Sequence, residues 1–189
     1  MLRSKSFPWA ITILFGVIDA IIGLALRVYF VWPMGFNFKN LLHAHSHTML
    51  LGWLLGALIL LIYRQWNIEI PKNHRWLFYA MAICVLGMLL SFPFQGYAAV
   101  SITFSTLHLW LSYILLFKIS KLSRNRGLNG KLIRTGVLLF FISTFGPYSL
   151  GPMMANEMQS SPWYDQAIFF YLHFLYNGAF FFFILAYIL

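Results

Sequence analysis

The sequence is poor in charge and poorest in acid. Only 4 Asp and Glu face 13 Lys and Arg across 189 residues, and charged residues make up 9% of the chain. A soluble domain draws about a quarter of its residues from the charged types, so a water-facing surface is excluded and lipid is the expected solvent. One cysteine, Cys84, excludes a disulfide framework and a thiolate metal centre. It lies inside an apolar run and reads as a small core residue. Glycine-rich nucleotide loops, nucleophile elbows and zinc-protease motifs are missing, as are the histidine boxes of membrane iron hydroxylases. The net charge of +9 comes from basic residues in short segments between apolar runs. They form no basic amphipathic face, so no nucleic-acid partner is expected.

What is present is hydrophobic length. A helix crosses the hydrocarbon core with about 20 apolar residues, and six stretches qualify: Phe7–Trp32, Leu42–Tyr63, Trp76–Phe92, Tyr97–Ile119, Leu132–Leu150 and Gln166–Leu189. The first follows Arg3 and Lys5 but is too long for a signal-peptide core, so it reads as a retained helix. Pro93 is expected to close the third, with a tight turn at Phe94-Gln95-Gly96. No repeat, low-complexity tract or linker divides the chain. The expectation is one all-α polytopic bundle over residues 1–189, in a lipid bilayer.

Charge sets an expected orientation, because Lys and Arg accumulate in cytoplasmic loops. Arg3 and Lys5, then Arg64, Lys72 and Arg75, then Lys118, Lys121, Arg124, Arg126, Lys131 and Arg134 fall on one side. The other side holds Lys39, Glu157 and Asp165. This places both termini in the cytoplasm, in a multi-pass protein of the inner (plasma) membrane. The last span stops at Leu189 without a polar flank, which fits either a terminus at the membrane surface or the front part of a longer protein.

Histidine is the residue type with chemical reach. His43, His45 and His47 stand at the outer end of the second span, near the extracytoplasmic face. On a helix His43 and His47 share one side and His45 takes the opposite one, so one helix offers ligands to two neighbouring sites. Imidazole is the commonest metal ligand, and ionisable groups within a membrane mark cofactors or ion paths; hydrogen bonding across helices, or headgroup water, is the plain alternative. His173 lies in the outer half of the sixth span, at a depth comparable with the cluster. Asn177 is one turn further on, placed to orient that ring. His108, midway along the fourth span near Ser105, Thr106 and Ser112, either completes a metal site or bonds to a neighbouring helix. His74, between Lys72 and Arg75, reads as a solvated loop residue. Asp19 is the one acid deep in a span, with three readings: a proton path, a pair with Arg27, or a hydrogen bond at a helix contact. The run Phe180–Phe183 reads as lipid-facing or packing surface.

The segment His45-Ser46-His47-Thr48-Met49-Leu50-Leu51-Gly52-Trp53 and the offsets His173, Asn177, Gly178 resemble the catalytic subunit of the haem-copper oxidase superfamily, nearest its nitric oxide reductase branch. The resemblance runs through the six spans in order, corresponding to the N-terminal half of that subunit. It implies that His45 ligates a low-spin haem b and that His173 ligates a copper or non-haem iron beside the active-site haem. Asn177 stands where the reductases have a glutamate, and His43 and His47 lie outside the family pattern. The implied function is electron transfer to oxygen or nitric oxide, with a cytochrome or quinol donor and a homo- or hetero-oligomeric setting. Two other classes compete: a non-enzymatic protein that senses, stores or transports haem or a transition metal through His43, His45 and His47, and a structural subunit whose histidines only bond across helices.

Overall fold

The computed structural model describes the backbone of residues 3–32 and 34–189, and the side chains of all of these except 3–6. The side chains of Arg3 and Lys5, counted among the basic flanks, lie outside that set. Six helices carry the chain: α1 (Phe7–Val28), α2 (Phe38–Gln65), α3 (Lys72–Gln95), α4 (Ala99–Leu122), α5 (Gly127–Ala155) and α6 (Pro162–Ile188). All are long and apolar enough to cross a membrane; the shortest has 22 residues, about 33 Å at the helical rise. No strand occurs among the described residues.

Helix limits differ from the apolar runs in instructive ways. α1 stops at Val28, short of Trp32, and Tyr29 and Phe30 instead pack on Phe36 and Phe38 in the following turn. α2 begins earlier, at Phe38, because the Asn37 side chain accepts from the Asn40 amide at 3.1 Å and caps the helix. The histidine cluster therefore sits one to two turns inside the helix. Pro93 does not close α3: the helix runs through it to Gln95 and ends at Gly96, whose φ of +60° suits glycine. A proline in the last turn removes one backbone donor, whereas ending earlier would free several carbonyls in an apolar setting. α5 bends at Thr144, where Pro147 cannot return a bond to the Ser143 carbonyl.

The chain packs as two compact units, Met1–Leu115 and Leu116–Leu189. In the first, Phe15, Ala44, Val85, Met88 and Phe92 form a buried cluster, flanked by Ile11, Leu51, Ala82 and Phe104. Cys84 is buried here, as a small core residue should be. Close approach depends on glycine. A Cβ on Gly16 would lie 2.8 Å from Trp53, and one on Gly52 would lie 2.7 Å from Val85 Cγ1. In the second unit, Gly136 lets α5 lie under Phe183 of α6, and the Asn129 side chain donates to the Ala186 carbonyl. The four-phenylalanine run divides accordingly: Phe180 and Phe183 are buried in packing, while Phe181 is exposed.

Two of the four histidine-bearing helices, α2 and α6, contain a π-helical turn that begins right after a histidine, Thr48–Leu54 after His47 and Phe174–Phe180 after His173. A π turn widens the helix by one residue and is frequent at functional sites. Here each contains a tightly packed glycine, Gly52 or Gly178, five residues beyond the histidine.

Candidate cofactor site

In the first unit, the periodicity of α2 sends its imidazoles two ways. His45 faces α1, where its Nδ1 lies 2.7 Å from Asp19 Oδ1. The ring rests on Gly23, where a Cβ would come within 3.0 Å of Cε1. Neither Asp19 Oδ1 nor His45 Nδ1 has a hydrogen bond among the described residues, so the two meet as a close polar contact and not as an aligned hydrogen bond. Of the three readings of Asp19, the structure thus realises the helix contact, with His45 as the partner, and Arg27 takes no part in it. His45 Nε2 bears no hydrogen bond among the described residues, and the side chain keeps 23% of its surface exposed.

His43 and His47 face α3 and the turn that follows it. The His47 ring lies 4.5 Å from that of Phe92, and the His43 ring 4.6 Å from that of Tyr97. His47 Nδ1 is 2.9 Å from the His43 carbonyl oxygen, which can only accept. His47 is therefore protonated at Nδ1, and its bare Nε2 accepts from the Tyr97 hydroxyl over a long 3.4 Å. His43 contributes its carbonyl and an aromatic face to this arrangement.

His108 reaches the same unit from α4 and is 1% exposed. Ser112 spends its only hydroxyl hydrogen on the His108 carbonyl at 2.8 Å. The 3.3 Å contact between Ser112 Oγ and His108 Nδ1 then requires Nδ1–H to donate. This leaves His108 Nε2 bare and buried, with no partner among the described residues. The ring borders a small cavity lined by Phe15, Gly52, Gly56, Phe78 and Val85, close enough to His47 for the two imidazoles to interact electrostatically. Thr48 Oγ1, on the first residue of the π turn, is also buried without a partner among the described residues.

His47 and His108 each have Nδ1 within reach of a protein oxygen, but the His47 Nε2 is taken by the Tyr97 hydroxyl, so of these two only the His108 Nε2 is buried without a partner among the described residues. Such a bond to Nδ1 is how proteins fix the tautomer and orientation of a ligating histidine. A buried lone pair with no donor costs about 1–3 kcal/mol, which a bound electrophile would recover. Among the described residues no three of His, Cys, Asp and Glu gather to hold an ion, and the cavity beside His108, about 10 Å³, has room for about one water and not for a haem.

His173 and Asn177 belong to the second unit. Asn177 Nδ2 stands 3.4 Å from His173 Nδ1 and both side chains are exposed on α6. His74 corrects the sequence expectation: it is not a solvated loop residue but lies in the first turn of α3, 6% exposed, with Nδ1 against the buried Tyr63 hydroxyl. Its flanking charges, Lys72 and Arg75, point elsewhere on the helix, which is why a charged neighbourhood misled the reading. The Asp19–His45 pairing was undecided in the sequence because its partners stand on different helices and carry no spacing signal, whereas His108 and Ser112 are one turn apart on one helix. No family model, curated protein or solved structure matches the chain.

Proposed function

We propose that this chain is a haem-binding integral membrane protein of the respiratory type, using an imidazole of its first unit as axial ligand and serving electron transfer to oxygen or nitric oxide. The observation that carries this reading is His45: its Nε2 has no hydrogen bond among the described residues, its side chain keeps 23% of its surface exposed, and Asp19 stands 2.7 Å from its Nδ1. His45 would be the residue of the first unit that holds haem, and haem bound there would supply reversible one-electron chemistry. Asp19 would fix the orientation of the ring.

The resemblance to the haem-copper oxidase superfamily supports the same class, with His45 in the haem b position and His173, beside Asn177, toward copper or non-haem iron. The charge bias of the loops supports a plasma-membrane protein with cytoplasmic termini and the histidine end of α2 toward the outside, with a quinol or cytochrome as donor. The decisive experiment is the optical spectrum of the detergent-purified chain with metal analysis. The expected result is a Soret band that shifts on reduction and weakens in His45→Ala. A colourless preparation without iron or copper, even after haem is supplied during expression, would overturn the proposal.

A further inference from the structure

The opposite end of the first unit carries a second site, independent of the histidine chemistry. Where α1 begins, α2 ends and α3 begins, a cleft of about 430 Å³ opens, lined among others by Trp9, Tyr63, Arg64, Glu69, Ile70 and Arg75. That volume is in the range of small-molecule sites, about 300–1,000 Å³. Its polar content is lopsided. Two guanidiniums, Arg64 and Arg75, border it against one carboxylate, Glu69, and neither arginine has a hydrogen bond or ion pair among the described residues. Arg75 is half-buried, so its charge faces the cleft without full hydration. Tyr63, tied by its hydroxyl to His74, adds a buried aromatic wall. Pro8, Leu60 and Ile68 add apolar wall beside the charges.

We propose that this cleft binds the phosphate group of an anionic phospholipid from the adjoining leaflet. Two planar guanidiniums, each presenting paired N–H donors, match phosphate oxygens in a way an isolated ammonium does not. Basic pockets between transmembrane helices on the cytoplasmic side are the places where acidic headgroups settle. A soluble phosphate would use only the charged half of the cleft. A phospholipid also covers the apolar half with its glycerol and upper acyl chain, and Trp9 sits at the rim as interfacial tryptophans do.

The test uses the full chain in detergent micelles, titrated with phosphatidylglycerol, phosphatidylcholine or inorganic phosphate, and read by native mass spectrometry and by the thermal midpoint. Phosphatidylglycerol should bind and raise the midpoint, while phosphatidylcholine and inorganic phosphate should do neither at equal concentration. Arg64→Gln/Arg75→Gln should weaken phosphatidylglycerol binding roughly 30-fold, at about 1 kcal/mol for each charge. Arg64→Lys/Arg75→Lys should retain more of it than the glutamine pair. If the double variant fails to fold, Arg64→Gln alone, at an exposed position, should still cost roughly 5-fold. Equal binding of phosphatidylcholine, or undiminished binding by folded glutamine variants, would overturn the proposal. Inorganic phosphate matching phosphatidylglycerol would overturn the lipid assignment.

Discussion

Asp19 of α1 and His45 of α2 meet at 2.7 Å, and neither of the two facing atoms has a hydrogen bond among the described residues. A carboxylate and an imidazole in such an apolar setting are each costly alone, so the pair ties α1 to α2 at one register. Asp19→Ala should therefore lower the thermal stability of the chain by about 1–3 kcal/mol, the penalty for leaving a buried polar group unsatisfied. The double variant Asp19→Ala/His45→Ala should lose much less than the sum of the two single changes, in a thermal-unfolding cycle. Additive losses would show that the contact carries no coupling.

His108→Leu tests the bare nitrogen. Replacing a partnerless buried imidazole with an apolar side chain removes an unsatisfied polar atom. The variant should melt at least as high as wild type. A lower midpoint would show that the imidazole supplies an interaction leucine does not replace.

Gly136→Ala tests the second unit. The added Cβ would lie 2.7 Å from the Phe183 ring and 3.0 Å from the Ala179 carbonyl oxygen, closer than real contacts allow. Overpacking of this kind costs about 1–3 kcal/mol. Thermal unfolding should show it, and spectra of a cofactor held by the first unit should stay as in wild type. Gly151→Ala, with open space around the position, serves as the neutral comparison.

Tyr63→Phe removes the hydroxyl that faces His74 Nδ1 between α2 and α3. The loss should be about 1–3 kcal/mol in thermal stability, since both side chains are buried. His74→Ala in the same background should then cost less than it does in wild type.

Six crossings were legible from run length alone, because hydrophobic stretches of bilayer thickness have few other uses. The end points were less so. Asn37 as a cap, Pro93 inside a helix and the bend at Thr144 depend on which backbone groups find partners, and that is a local geometric balance. Of the candidate site, helical periodicity alone separated His45 from His43 and His47. The partner of Asp19 depended on which helix stood opposite, whereas Ser112 bonds within its own helix, and the burial of His74 follows the face it presents and not the charge of its neighbours.

By itself, the order of residues determined that lipid would be the solvent, that the elements would be helices, and that imidazoles would cluster on two of them. These follow from composition and periodicity, which are properties of the chain taken one segment at a time. Only the tertiary structure decided that Asp19 meets His45, that His108 keeps a bare nitrogen in the core, and that Arg64 and Arg75 open onto one cleft. Those pairings arise from side chains far apart in sequence, brought within a few ångströms by glycine-lined helix contacts, and no local pattern encodes them.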